Sequence, residues 1–114
     1  MSKFDEKILF YKRNMTSMGL TYEDELFNKI TRGLGPSIFK RDAASVSTSD
    51  EKEIFTVKQN FLINKLGLED GPYLNEAINK VGALMGKTNR VKYRAIFYYL
   101  LVKELGQESK ILDK

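Results

Sequence analysis

Eight consecutive residues, Ala95-Ile-Phe-Tyr-Tyr-Leu-Leu-Val, constrain the fold of this 114-residue chain more than any other stretch. At about 100° per residue they place large apolar groups at every azimuth, so a helix built from them has no polar face and must be surrounded. The same composition is compatible with a buried strand, but the Arg-, Lys- and Glu-rich flanks and the lack of any partner strand favour helix. The expected architecture is therefore all-α, a compact array of about five helices with this hydrophobic helix at its centre.

The remaining segments fit that frame. Phe4, Ile8, Tyr11, Met15 and Met18 recur at steps of four and three on a first helix that Ser2 caps, with Asp5 three residues on. Thr21-Tyr-Glu-Asp-Glu opens a second helix with Leu26, Phe27 and Ile30 inside. Residues 33–49 lose the period, and Pro36 to Lys40 are expected to form one short helical turn anchored by Ile38 and Phe39. Ser47, Thr48 and Ser49 compete to cap a third helix bearing Ile54, Val57 and Phe61 on one flank and Phe55, Leu62 and Leu66 on the other. Pro72 starts a fourth, with Leu74, Ala77, Ile78, Val81, Leu84 and Met85 on one face. Glycines at 19, 33, 67, 86 and 106 close the five segments. One domain over residues 1–106 and a flexible tail over 107–114 are expected, unless Ile111 and Leu112 dock.

Two stretches resemble a known family. Gly33-Leu-Gly-Pro-Ser-Ile-Phe with the downstream Asn60-Phe-Leu-Ile-Asn-Lys-Leu-Gly-Leu is one, and Met85-Gly-Lys-Thr-Asn-Arg-Val-Lys-Tyr-Arg-Ala-Ile-Phe-Tyr-Tyr-Leu-Leu-Val-Lys is the other. Both are similar to small bacterial proteins classed as domain of unknown function 2853. The resemblance implies a compact all-helical domain and carries no activity, ligand or catalytic residue to positions here.

Composition removes much catalytic chemistry. The chain has no cysteine and no histidine, hence no thiol nucleophile, no thiolate or imidazole metal ligand and no imidazole base. No metal or cofactor is expected. No apolar run is long enough to span a bilayer and the first residues lack a signal core, so a cytoplasmic protein without membrane contact is expected. Gly82-Ala-Leu-Met-Gly-Lys-Thr falls short of a phosphate loop, because its glycines stand one residue too close and a helix precedes it where a strand is needed. The paired acids Glu23-Asp-Glu and Asp50-Glu sit in first helical turns, where capping accounts for them.

The candidate site is the basic lead-in to the central helix. Lys87, Thr88, Asn89, Arg90 and Arg94 are expected in its first turns, where helix amides and cations together hold an anion. Lys87, Arg90 and Arg94 share one side, and Lys92 and Lys103 another. Flanked by Tyr93 and Tyr98, Arg94 also fits a nucleic-acid surface in which arginine meets phosphate and tyrosine stacks on bases. The structural alternative pairs Arg90 and Arg94 with Glu69, Asp70 or Glu76 and keeps the tyrosines at the core edge. A second place for function is the irregular segment around Lys40, Arg41 and Asp42. Leu9, Phe10 and Tyr11 extend the apolar surface of the first helix and favour weak self-association.

The leading functional expectation is a binding or association protein without catalysis. The alternative is a nucleic-acid or phosphate-ligand module using the basic lead-in, which a net charge of +4 permits. An enzyme with Lys87 or Tyr93 as acid or base ranks behind both.

Overall fold

A computed structural model describes residues 2–40, 43–86 and 91–113. Among these residues are six α-helices and no extended strand: α1 (Lys3–Ser17), α2 (Asp24–Leu34), α3 (Glu51–Thr56), α4 (Pro72–Gly86), α5 (Arg94–Leu105) and α6 (Glu108–Leu112). The fold is all-α, and its principal extents are 40 × 32 × 26 Å. The octet lies inside α5, where every member except Leu100 is buried. Helix α5 packs chiefly on α4 and α2 and also touches α1, so neighbours cover it on several sides, as a helix without a polar face requires.

Helix α1 begins as its sequence dictates, the Ser2 hydroxyl accepting from the Asp5 amide at 3.1 Å. The cap of α2 differs from expectation. Thr21 lies outside the helix, the capping position is Glu23, and the donor left over there is met from another element: the Glu23 N–H donates to the Tyr99 hydroxyl of α5 at 2.9 Å. Gly35, not Gly33, has the positive φ that ends α2, at 62°. A 3-10 turn follows over Gly35–Phe39 with Pro36 near its start, as the proline predicts. Ile38 is buried in the core, but Phe39 is 47% exposed and meets Phe4 edge-on, at 6.1 Å between centroids.

At α3 the cap is Asp50, which accepts from the Lys52 amide at 2.9 Å, rather than Ser47, Thr48 or Ser49. Beyond Thr56 the helix widens into a π-type coil over Val57–Lys65, closed by Leu66 N–H donating to the Phe61 carbonyl five residues back at 2.9 Å. The buried pairs Val57/Leu62 and Phe61/Leu66 keep that five-residue step. A 3.6-residue phase run through this segment therefore misplaces Phe55, which is 61% exposed.

Helix α4 buries the expected stripe except for Leu84, which sits at its margin and is exposed. Gly82 is buried there because a Cβ would stand 3.2 Å from the Thr48 methyl, so this glycine serves close packing in a helix. Within the stretch 107–114, Glu108–Leu112 form α6, docked on α2 through buried Ile111, with Lys29 Nζ donating to the Leu112 carbonyl at 3.1 Å, which is the docking named above as the exception to a free tail.

Candidate functional site

The central helix begins later than its sequence predicts. Helix α5 starts at Arg94, and Lys92 and Tyr93 precede it in extended backbone. Val46 N–H donates to the Lys92 carbonyl and Arg94 N–H to the Ala44 carbonyl, both at 2.7 Å, making one antiparallel bridge between Ser45 and Tyr93. Paired this way, Lys92 and Tyr93 are not in the first turn of α5. Lys87, Thr88, Asn89 and Arg90 lie outside the described residues, as do Arg41 and Asp42 of the irregular segment.

Arg94 is turned inward. Its Nε–H donates to the Ala43 carbonyl at 2.7 Å, one terminal nitrogen to the Tyr98 hydroxyl at 2.9 Å, and the other to the Ser45 carbonyl at 3.2 Å and to the Glu53 carboxylate. Four of the five guanidinium donors are thus engaged. The ion pair is with Glu53 at the start of α3, not with Glu69, Asp70 or Glu76. Burial lowers the guanidinium pKa, but Tyr98 and Glu53 outweigh it and the net shift is upward. Tyr98 is itself raised by burial, which the charge of Arg94 opposes. Its ring stacks on Phe61 at 3.9 Å, so it is a core-edge tyrosine. Arg94 thereby ties the 43–45 loop to α3 and α5.

A different set of cations faces solvent beside this clamp. The 3-10 turn folds back on α1 through the Phe4 and Phe39 rings, and Phe10 of α1 meets Tyr93 at 5.3 Å and a 78° interplanar angle. Between them lie two open depressions. One, about 400 Å³, is lined by Lys7, Phe39, Lys40, Ser45 and Tyr93 among others. The second, about 350 Å³, is lined by Lys3, Glu6, Lys7, Phe10 and Phe39, so Lys7 and Phe39 belong to both. Among the described residues no carboxylate lies within ion-pair distance of Lys3, Lys7 or Lys40. Lys7 Nζ stands 5.6 Å from the centre of the Phe10 ring, within cation–π range. Phe10 remains 41% exposed.

This face was only partly visible in the sequence. The irregular segment pointed to Lys40 and the apolar margin of α1 to Leu9 and Phe10, both of which are exposed. Tyr11 is not part of that margin: it is fully buried, and its hydroxyl meets no hydrogen-bond partner among the described residues. Lys3 and Lys7 were missed. Their helical spacing of four, with Phe10 three further on, was the available signal.

A second groove, about 450 Å³, runs between α4 and α5 past Leu84 and Leu100. Its rim charges are matched, Lys80 with Glu104 at 3.2 Å and Lys103 with Glu23 at 2.6 Å and Glu108 at 3.4 Å. Among the described residues no group of three or more carboxylates is placed to hold a metal ion, and no helix is long and apolar enough to cross a membrane.

No curated protein matches the chain. The family model described as protein of unknown function (DUF2853) matches residues 10–109, from the middle of α1 into α6. With nearly the whole helical array inside that match, the chain belongs to the DUF2853 family.

Proposed function

We propose that this is a cytoplasmic binding protein that works without catalysis, and that its ligand carries phosphate. The binding face is the pair of depressions between α1, the 3-10 turn and the segment before α5. One observation carries this reading: three lysines without an ion-pair partner among the described residues surround two half-open aromatic rings. Carboxylates match the rim charges of the α4–α5 groove, whereas here three lysines meet the single carboxylate of Glu6. An excess of cations on a concave surface concentrates anions there. Arg94 supports the face from behind by fixing the loop that carries Ser45.

Titration calorimetry with tripolyphosphate, ATP and short oligonucleotides tests the proposal. At least one probe is expected to bind, and to lose that binding when Lys3, Lys7 and Lys40 are all replaced by Gln. Binding by none of them, or binding that the triple variant leaves intact, contradicts it. Sedimentation equilibrium then distinguishes self-association through Leu9 and Phe10, which would raise the mass with concentration and with no phosphate present.

A further inference from the structure

We propose that the occupant of this face is single-stranded nucleic acid, its phosphates on Lys3, Lys7 and Lys40 and its bases against Phe10 and Phe39. The inference rests on the reading of the face as a phosphate-ligand site and goes beyond it in naming the ligand class.

Three features point to a strand rather than a free phosphate. First, the cations are interleaved with aromatic rings. Each exposed ring is braced by a near-perpendicular neighbour, Phe39 by Phe4 at 74° and Phe10 by Tyr93 at 78°. Held in this way, with 47% and 41% of each residue exposed, Phe39 and Phe10 offer ring surface on which bases can stack, and Lys7 over the Phe10 ring is placed to turn to a phosphate. Inorganic phosphate has no use for such rings. Second, the two depressions lie side by side and share Lys7 and Phe39, so the surface repeats a cation-and-ring unit instead of closing around one small molecule. A polymer with alternating phosphate and base presents the matching repeat. Third, the lysines carry no geometric fork for reading base edges, and phenylalanine has no hydrogen-bonding group, so the expected recognition is tolerant of sequence. A duplex keeps its bases stacked on one another and offers only phosphates, which leaves Phe10 and Phe39 uncovered.

Fluorescence anisotropy with labelled 12-mers of oligothymidine and oligouridine, a 12-base-pair duplex, and tripolyphosphate as competitor tests the inference. Both single strands are expected to bind more tightly than the duplex. Replacing Lys3, Lys7 and Lys40 by Gln should flatten the plot of log affinity against log salt by about 2, at roughly 0.7 per lysine. Phe39→Ala and Phe10→Ala should each weaken binding by about tenfold with the salt slope unchanged. Phe39→Leu, which keeps an apolar contact for Phe4, should weaken it as well and guards against misfolding of the alanine variant. Equal affinity for strand and duplex with no effect of either phenylalanine overturns the inference, leaving polyanion attraction alone. Tripolyphosphate binding without strand binding overturns it while the phosphate-ligand reading stands. Binding of no probe at low salt, about 20 mM, where screening is weak, overturns both.

Discussion

At the residue scale the chain contrasts spent and unspent charge. Arg94 was a natural candidate for an anion because it stands beside two tyrosines, yet its donors go to Ala43, Ser45, Glu53 and Tyr98. Arg94→Ala would leave Glu53 and two loop carbonyls without their donor. A loss of about 2–4 kcal/mol in urea unfolding is expected, more than for Glu53→Gln, which leaves a neutral acceptor in place. Tyr11 is the reverse case, a buried hydroxyl without a partner among the described residues, whose pKa burial and the neighbouring Tyr93 push up to about 12. Between the unfolded value near 10 and this folded value the unfolded chain ionises while the native one stays protonated, so stability falls as pH rises through that window. Tyr11→Phe is expected to stabilise by about 1 kcal/mol at neutral pH and to make the decline above pH 10 shallower. Equal slopes for variant and parent in unfolding measured across that window would contradict it.

At the element scale, what could be read from the chain was decided by whether the information is local. The central helix was legible because Ala95 to Val102 leave no azimuth for water, and the Ser2 cap because its acceptor and donor are three residues apart. The cap of α2 was not legible, since its acceptor is the hydroxyl of Tyr99, 76 residues away. Tyr99→Phe should therefore cost about 1 kcal/mol, with faster hydrogen exchange at the Glu23 amide as its signature, while the rest of α5 stays protected. The π-type stretch defeated a fixed 3.6-residue phase and so misplaced Phe55, and α6 was legible only as the docking of Ile111 and Leu112, because two residues alone make no helical period. The clamp on Arg94 was half legible. An ion pair was foreseen, but Glu53 was not, because the bridge between Ser45 and Tyr93 that brings α3 close is a tertiary event.

At the scale of the whole molecule, the candidate face exists only because distant segments meet. Lys3 and Lys7 belong to α1, Phe39 and Lys40 to the 3-10 turn and its exit, and Tyr93 to the lead-in of α5. No single stretch contains the pattern, which is why the denser run of cations at 87–94 drew attention first. A net charge of +4 spread over the chain gives weak general attraction for polyanions, and specificity then depends on where cations remain unpaired beside open rings. The same view explains why the larger α4–α5 groove is the poorer candidate for an anionic ligand, its lysines Lys80 and Lys103 being already matched by Glu104, Glu23 and Glu108.

The most direct measurement is a two-dimensional ¹H–¹⁵N NMR titration of the full chain with a thymidine 12-mer. The account predicts shift changes that centre on Lys3, Lys7, Phe10, Phe39, Lys40, Ser45 and Tyr93 and leave the α4–α5 groove unmoved. Changes centred on Val81, Leu84, Leu100 and Glu104 with the α1 face silent, or no change anywhere, would contradict it.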